Sequence, residues 1–250
     1  MAAYRHAVER ADSSDLACGV VLHSAPGYPA FPVRLATELF LRARARIAGE
    51  GPVTLWDPCC GSGYLLTVLG LVQRRSLRRV IASDADPAPL ALAAKNLALL
   101  TPEGLGARER ERREQSERFA KPAYLEAADA AGRLRERLLA DGGALPVTAA
   151  PADVFDPHAL AAALAGAAPD VVLTDLPYGE RTHWTGGVPE QPVTGLLRSL
   201  ASVLPEHAVI AVTDRSRKVP VAPVRTLERL KVGTRSAALV RVEDVREALG

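Results

Sequence analysis

The chain has 250 residues, an apolar content typical of globular proteins and a formal net charge of +2. This length suits one large α/β domain or one domain with an appendage, and the nearly neutral charge gives no overall signal for a nucleic-acid partner. No apolar run is long enough to span a bilayer, and the polar first residues differ from a signal peptide, so we expect a cytoplasmic protein.

The cysteines Cys18, Cys59 and Cys60 are not arranged as metal ligands. Adjacent Cys59 and Cys60 have no matching CxxC or histidine pair, which is the usual spacing of a zinc site. We therefore predict no metal site and expect reduced thiols.

The first fifty residues precede the predicted sheet and are expected to form a cap. Residues 1–15 are predicted to be a charged helix or arm, and residues 18–23 a short strand. Residues 24–32 are rich in turn formers and are expected to be irregular, whereas residues 35–47 have the pattern of an amphipathic helix. The side chains of His23, Tyr28 and Phe31 could line a ligand site under the cap. For the two aromatic rings, Tyr28 and Phe31, we favour simple packing under the loop.

Residues 53–63, VTLWDPCCGSG, contain the most informative pattern in the chain. Residues 53–56 are mostly apolar and rich in β-formers, which indicates a buried strand. The turn Gly61-Ser62-Gly63 follows, and a helical apolar pattern begins at residue 64. Strand, glycine-rich turn and helix form the first unit of a nucleotide-binding α/β fold, in which glycines leave backbone amides open to a ligand. The alternative is a tight turn that only packs the helix on the strand.

The same stretch narrows the choice of ligand. A dinucleotide fingerprint would have a third glycine where Leu66 stands. Asp57 adds a negative charge, which suits a pyrophosphate poorly and suits a cation well. S-adenosylmethionine carries a sulfonium and an ammonium, so we predict it as the cofactor. The predicted contacts in this loop are Asp57, Pro58, Cys59, Gly61 and Gly63.

The second predicted strand covers residues 79–84 and ends in Asp84. A carboxylate at this place can accept both ribose hydroxyls of an adenosine, and we include the adjoining Ala85 in the cofactor site. Capping of the next helix is the alternative role for Asp84. Asp86 suits that cap better, because Pro87 follows it directly at the first helical position.

Residues 102–143 are predicted to form a helical insertion. Residues 108–118 alternate in charge, and residues 124–139 have the pattern of an alanine-rich amphipathic helix. Between residues 103 and 141, nine basic residues balance nine acidic ones. We favour a solvated helical pair over an RNA-contacting appendage, because phosphate binding depends on positive charge.

Residues 145–155 are predicted to form the third strand and to end near Asp153 and Val154. The Asp153 carboxylate can accept the adenine amino group, while the Val154 amide can donate to a ring nitrogen. Asp153 could instead cap the helix that begins at residue 157, a role that Asp156 fills more naturally.

The remaining strands are predicted at residues 170–175, 207–213, 224–231 and 236–242, with a helix around residues 196–204. The fourth strand is apolar inside, as expected for a central parallel strand covered on both faces. The last two strands are expected to form an antiparallel hairpin around Gly233. A basic turn, DRSRK, follows the fifth strand at residues 214–218.

Acidic or glycine-rich features thus follow each of the first four strands. The carboxyl ends of parallel strands meet at one edge, which is where open α/β sheets bind ligands. We predict a single domain over residues 1–250, with an N-terminal cap over residues 1–50 and a catalytic core over residues 51–250. The core is expected to be a mostly parallel seven-stranded α/β sheet with the insertion and a C-terminal antiparallel hairpin.

From about residue 51 to residue 242, this pattern resembles the class I S-adenosylmethionine-dependent methyltransferases, which have a Rossmann-like fold. The motif D-P-C-C-G-S-G resembles their cofactor loop, Asp84 their ribose-binding acid and Asp153 their adenine contact. The motif D-L-P-Y-G-E-R, which begins at Asp175, resembles the [DN]-P-P-Y motif of enzymes that methylate exocyclic amines, most closely the guanine-N2 methyltransferases of ribosomal and transfer RNA. Leu176 replaces the commoner proline at a place where only the backbone carbonyl is needed.

More narrowly, the whole chain is similar to the avilamycin-resistance methyltransferases of antibiotic-producing actinomycetes. This resemblance implies methylation of one guanosine of 23S ribosomal RNA, expected at the exocyclic amine N2, and protection from an orthosomycin antibiotic. The expected partner is 23S rRNA or the large ribosomal subunit. We further expect a monomer that does not associate with membranes.

The Asp-Leu-Pro-Tyr motif suits the chemistry of an aromatic amine, whose lone pair is delocalised into the ring. Asp175 and the Leu176 carbonyl can each accept one N–H, which fixes the nitrogen and favours its pyramidalisation, while Tyr178 can stack on the base. Orientation alone is expected to supply up to ~7–11 kcal/mol of the rate enhancement. The predicted catalytic residues are Asp175, Leu176, Pro177 and Tyr178.

RNA contacts are expected from the loop after this motif and from the basic turn, with plain surface solvation as the alternative for each. His183 could act as a general base, although the reaction does not require one. A guanine within a helix must also be extruded before it can react. The predicted RNA-binding residues are Arg181, Trp184, Arg215, Arg217 and Lys218.

Other functions stay open from the sequence: methylation of a tRNA guanine, a DNA adenine or cytosine or a protein glutamine, or RNA binding without catalysis. The near-neutral charge and the lack of a separate target-recognition domain count against DNA. The intact acids at positions 57, 84, 153 and 175 count against loss of catalysis.

Overall fold

The computed structural model describes residues 4–9, 12–17, 19–28, 30–177, 184 and 187–250. Within these residues, seven strands form one sheet in the order β3-β2-β1-β4-β5-β7-β6. Strands β1 to β5 pair in parallel, whereas β7 runs antiparallel to both β5 and β6. The strands are β1 (Val53–Asp57), β2 (Leu77–Asp84), β3 (Val147–Pro151), β4 (Val171–Asp175), β5 (Val209–Asp214), β6 (Glu228–Val232) and β7 (Arg235–Arg241). This sheet confirms the predicted fold class.

The described residues also form eight α-helices, five of which begin with a proline at the first or second helical position. Proline suits these positions because the first amides of a helix have no intrahelical acceptor. The helices are α1 (Val33–Arg44), α2 (Tyr64–Val72), α3 (Pro87–Ala98), α4 (Pro102–Phe119), α5 (Pro122–Ala140), α6 (Pro157–Leu164), α7 (Pro192–Val203) and α8 (Val242–Leu249).

The sheet is buried on both faces, so the molecule has two apolar clusters. One cluster joins the sheet to α1, α2, α3 and the α4–α5 hairpin, and it includes Phe40, Leu66 and Leu100. The other joins the opposite face to α6, α7 and α8, and it includes Trp56 and Leu197. All residues of β1 are buried, as expected for a central strand covered on both sides.

The structure differs from the local predictions in several places. Residues 19–23 form turns rather than a strand, and Cys18 lies outside the described residues. The third strand is shorter than predicted and ends at Pro151, after which the chain turns towards Asp153. Residues 242–249 form a helix that was not predicted, and its Val242 and Val245 are fully buried against the sheet and α7.

The insertion forms the predicted pair of helices, and two of its arginines bind the cap. Arg108 is only 5% exposed, and its Nε donates to the Val21 carbonyl at 2.8 Å. Arg112 donates to the Gly19 carbonyl at 2.8 Å. In a strand, these carbonyls would accept hydrogen bonds from a neighbouring strand. Here the guanidinium groups donate to them instead. The insertion therefore holds the cap segment in place.

The N-terminal arm is anchored by one buried carboxylate, that of Glu38 on α1. Glu38 is fully buried and accepts backbone N–H groups from Arg5, His6 and Ala7 at 2.7–2.9 Å. Its Oε1 also accepts from Arg42 Nε at 2.7 Å, and Arg42 in turn contacts Glu228 of β6. These donors outweigh the cost of burial and lower the pKa of Glu38 to about 2.

We expect Glu38→Gln to destabilise the protein by on the order of 2–3 kcal/mol at pH 7, because the pKa of Glu38 lies well below its unfolded value. A depressed pKa contributes stability above the unfolded pKa of 4.5, and this stability is lost as pH falls towards 2. The difference in urea unfolding free energy between the two proteins should therefore fall to about half at pH 3. Glu50→Gln, at an exposed glutamate, is the control. An equal difference at both pH values would contradict the proposed role.

Candidate active site

The order of the strands creates a crevice beside β1. The chain continues from β1 to β2 on one side, and β4 lies on the other side. Such a switch point opens a crevice at the carboxyl ends of the strands. The last residues of four strands are aspartates that line a single cavity of about 1080 Å³: Asp57, Asp84, Asp175 and Asp214.

Most of the predicted site residues line this cavity. They are Asp57, Pro58, Cys59, Gly61, Asp84, Ala85, Asp153, Val154, Asp175, Leu176, Pro177, Trp184 and Arg215. Gly63, Arg217 and Lys218 are not among the lining residues. Tyr178, Arg181 and His183 lie outside the described residues, so their predicted roles stay predictions.

Asp57 is the most deeply buried acid of the cavity, with 2% of its surface exposed. Its Oδ1 accepts the Cys59 N–H at 3.1 Å. Burial raises the pKa of Asp57 to about 7, and the negative charges of Asp84 and Asp175 add to the effect. A cation bound in the cavity would relieve this cost, so the site suits a ligand with an ammonium or sulfonium group.

Asp84 holds the glycine-rich loop against β2. Its Oδ2 accepts the Gly61 N–H at 2.8 Å, and its Oδ1 accepts the Asp86 N–H at 3.0 Å. Burial nevertheless raises the pKa of Asp84. Asp86 caps α3 as predicted, since its side chain accepts the Ala88 N–H at 2.8 Å. Asp84 therefore holds the loop and lines the cavity at the same time.

Glycine is present at positions 61 and 63 of the loop for different structural reasons. Gly61 has φ +50° and lines the cavity, where a Cβ would meet only the Tyr28 ring at 3.9 Å. Gly63 has φ +70°, and a Cβ there would lie 3.1 Å from the Ala93 backbone. Gly63 thus permits α2 to pack against α3, which is the structural role that the sequence left open as an alternative.

The two adjacent cysteines are protonated thiols in this setting. Burial raises the pKa of Cys59 and of Cys60 well above its usual value, and nearby aspartates raise both further. Among the described residues, no group of three or more His, Cys, Asp or Glu side chains is placed to hold a metal ion.

The cap contributes to the cavity through its aromatic residues. Tyr28 and Phe31 both line it, and Phe31 also packs in the core as the favoured interpretation expected. His23 is not among the lining residues, and its backbone N–H donates to Asn96 Oδ1 at 2.7 Å. Burial, with a smaller effect of Arg108, lowers the pKa of His23 to about 4, so its ring is neutral at pH 7.

The adenine end of the predicted site is built by the turn after β3. Asp153 Oδ1 accepts the Phe155 N–H at 2.9 Å, and Asp156 caps α6 as predicted. The Trp184 ring packs on Phe155 with a centroid distance of 5.2 Å. Trp184 therefore closes the cavity on this side.

The Asp175-Leu176 step is held by β5. The Leu176 N–H donates to the Thr213 carbonyl at 2.9 Å, a bond that the commoner proline could not make. Thr213 Oγ1 donates to Asp175 Oδ1 at 2.6 Å. Arg235 of β7 contacts both carboxylate oxygens, Oδ2 at 2.6 Å.

Thr213 and Arg235 were not predicted from the sequence. Thr213 pairs with Asp175 in the parallel register of β4 and β5, so the strand order would have identified it. The signal for Arg235 was a charged residue beside the apolar run 237–240 after the Gly233 turn. Its partner, however, lies 60 residues earlier.

The basic turn after β5 is tied to the start of β7. Ser236 Oγ lies 2.8 Å from both the Ser216 and the Arg217 carbonyl, to which it donates. Ser216 Oγ donates to the Lys218 carbonyl at 3.0 Å. The side chains of Arg215, Arg217 and Lys218 are exposed. The turn therefore presents three exposed cations, of which Arg215 lines the cavity.

Comparisons with known proteins agree with this geometry. A family model described as rRNA methyltransferase AviRa matches residues 2–235. The 23S rRNA (guanine(2535)-N(1))-methyltransferase of Streptomyces viridochromogenes is 82% identical over 248 residues, which are 99% of each chain. Two solved structures of the rRNA methyltransferase aviRa from the same organism have TM-scores of 0.94 and 81% identity. They cover 98% and 99% of this chain, and 99% of their own chains are covered.

We expect the affinity for S-adenosylmethionine to rise about eightfold between pH 6 and pH 7.5, because Asp57 ionises near pH 7 and only the carboxylate attracts the cation. The amino group of the ligand stays mostly protonated over this range. Isothermal titration calorimetry at both pH values measures the change.

Asp57→Asn should bind more weakly and without this pH dependence. It should also raise the melting temperature of the ligand-free protein at pH 8, since a carboxyl whose pKa is raised by folding costs stability once it ionises. An unchanged pH dependence in the variant would show that another group titrates.

Proposed function

Because the chain belongs to the AviRa family of rRNA methyltransferases, we propose that it transfers a methyl group from S-adenosylmethionine to N1 of one guanine in 23S rRNA. The observation that carries this proposal is 82% identity over 99% of both chains to a relative whose name states that reaction. The cavity supports it, since acids at the ends of four strands surround a space suited to a cationic ligand.

The proposed position differs from the one expected from the motif. The sequence motif suggested the exocyclic amine N2, whereas the relative's name gives the ring nitrogen N1. The N2 expectation is therefore not confirmed, and we propose N1 in its place. Both nitrogens carry hydrogens on the same edge of guanine, so two adjacent acceptors can bind this edge with either as the target.

Asp175 and Leu176 have distinct roles in this proposal. The Asp175 carboxylate accepts the N1 hydrogen, and the Leu176 carbonyl accepts a hydrogen of the N2 amine. Loss of the N1 proton towards Asp175 makes the N1 lone pair available in the plane of the ring. Bound S-adenosylmethionine supplies an electrophilic methyl group on its sulfonium. Pro177 and Tyr178 complete the motif, with the Tyr178 ring stacked on the base.

In this proposal, all of the predicted cofactor residues except Gly63 contact the ligand. Asp57 attracts its cationic end, Asp84 accepts from the ribose hydroxyls, and Asp153 with Val154 contacts the adenine. Pro58, Cys59, Gly61 and Ala85 form the surrounding wall. Gly63 supports the loop through its packing on Ala93 rather than by contact with the ligand.

RNA binding is assigned to the rim of the cavity. Trp184 and Arg215 line the cavity itself, and Arg217 and Lys218 extend the positive charge outward. Arg181 completes the predicted set. A guanine that reaches the cavity must leave its helix or already be unpaired, because the reacting edge is the one used in base pairing.

The biological setting follows from the substrate. The enzyme is proposed to act as a monomer in the cytoplasm, on 23S rRNA or the large ribosomal subunit. No helix among the described residues is long and apolar enough to cross a membrane. Methylation is further proposed to protect the ribosome from an orthosomycin antibiotic, avilamycin, which growth tests in a susceptible host would measure.

We expect tritiated methyl groups from S-adenosylmethionine to label 23S rRNA but not 16S rRNA, tRNA or DNA. Primer extension on the labelled RNA should stop at one guanine, because a methyl group on N1 blocks Watson–Crick pairing, whereas a single methyl on N2 permits it. Mass spectrometry of the digested nucleosides identifies the product independently.

The variant Asp175→Asn tests the role of the carboxylate, since it keeps the shape of the side chain but removes the negative charge. It should bind S-adenosylmethionine normally and transfer the methyl group at least about 100-fold more slowly. Label on 50S subunits but not on naked RNA would assign recognition to the folded particle. Label on another substrate class, or readthrough at a labelled guanine, would contradict the proposal.

Arg217→Gln and Lys218→Gln should each weaken RNA binding and reduce the slope of log affinity against log salt by about 0.7–0.9, because each removes one phosphate contact. Fluorescence anisotropy with a labelled 23S rRNA fragment over a salt series measures this slope. Arg198→Gln, an exposed arginine on α7, serves as the control for loss of a surface charge. Unchanged slopes in the first two variants would show that Arg217 and Lys218 are only solvated surface residues and do not contact RNA.

A further inference from the structure

Arg235 is a buried arginine in direct contact with the proposed catalytic acid. It is 5% exposed, and its Nη1 contacts both oxygens of Asp175, Oδ2 at 2.6 Å. The Asp175 side chain is itself 23% exposed. Taking a guanidinium out of water is costly unless its charge is paired, so this contact largely determines where Arg235 lies.

The register of the sheet explains how residues so far apart meet. Thr213 of β5 stands opposite Asp175 on one side and Ala237 of β7 on the other. Directly paired residues share a face, and so do residues two apart in one strand. Asp175, Thr213 and Arg235 therefore lie on the same face of the sheet.

That face is the one covered by the cap. Phe31 and Ala237 belong to the same apolar cluster, and the Arg235 Cζ lies 4.5 Å from the centroid of the Phe31 ring. A guanidinium over an aromatic face is attracted by the ring quadrupole. Because Phe31 also lines the cavity, Arg235 connects the cap to the Asp175 carboxylate.

We propose that Arg235 is a positioning residue for methyl transfer, which holds the Asp175 carboxylate at the orientation needed to accept the hydrogen of the target nitrogen. Arg235 and Thr213 together contact Oδ1, and Arg235 contacts Oδ2, so rotation of the carboxylate breaks bonds to both partners. Arg235 acts through Asp175 and is not itself assigned to the substrate. The inference rests on the proposed function, because it gives Asp175 its role.

Arg235→Ala should lower kcat about 100-fold, since a misplacement of about 1 Å at a reacting group can cost that much. The dissociation constant for S-adenosylmethionine and the KM for the rRNA fragment should change little. Guanidinium ions, at concentrations far below those that unfold proteins, should restore part of the lost kcat by binding in the vacated space. Tetramethylammonium at equal ionic strength should not.

Arg241→Ala is the matched control, because Arg241 ends the same strand at the far edge of the sheet and contacts the Arg46 carbonyl. Its kcat should equal that of the protein without substitutions, and guanidinium should not change it. Thr213→Val removes the second donor to Asp175 without changing the shape of the side chain. It should lower kcat by about tenfold, in line with the loss of one hydrogen bond.

The possible outcomes separate the inference from the proposed function. A folded Arg235→Ala with unchanged kcat overturns the inference and leaves the proposed function intact. A variant that loses cofactor affinity and kcat together, without rescue by guanidinium, also overturns it, because that is the signature of a purely structural role. Should Arg235→Ala not fold, Arg235→Gln decides by whether kcat falls while the affinity for S-adenosylmethionine is kept, without the guanidinium test. If the protein without substitutions labels no rRNA, the proposed function is refuted instead.

Discussion

The structure depends on the placement of several carboxylates close together with little contact with water. Asp57, Asp84 and Asp175 end neighbouring parallel strands, and the repulsion among them contributes to the raised pKa of Asp57. Such a cluster is costly unless donors or cations compensate each charge. The Gly61 and Asp86 amides donate to Asp84, and Arg235 donates to Asp175. Asp57 is the most deeply buried of the three, and its raised pKa suits a site for a cationic ligand.

The cap and the insertion form one supporting system around this cluster. The insertion is electrically neutral overall, which argued from the sequence for a solvated helical pair. Its arginines nevertheless have a specific task, since Arg108 and Arg112 satisfy the backbone carbonyls of the cap segment. At the other end of the cap, Glu38 binds the N-terminal arm. The irregular part of the cap before α1 can thus contribute Tyr28 and Phe31 to the cavity.

The C-terminal hairpin contributes residues to the site and does more than extend the sheet. Two consecutive residues at the start of β7 contact two different functional elements. Arg235 contacts the Asp175 carboxylate, while Ser236 holds the basic turn through the Ser216 and Arg217 carbonyls. An antiparallel strand places its first residues beside the last residues of β5. This is why the hairpin reaches the carboxyl edge where the other functional residues lie.

The sequence by itself determined the succession of strands and helices and most of the residues around the cavity. These features are local: apolar periods predict strands, Asp-Pro pairs predict helix starts, and acids after parallel strands must share one edge. The partnership of Asp175 with Arg235, the lining of the cavity by Phe31 and the packing role of Gly63 were decided only by the tertiary structure. Each depends on which strands and helices become neighbours, and the order β4-β5-β7 joins residues 60 positions apart. No local pattern contains that order, because it follows from how the two faces of the whole sheet are covered.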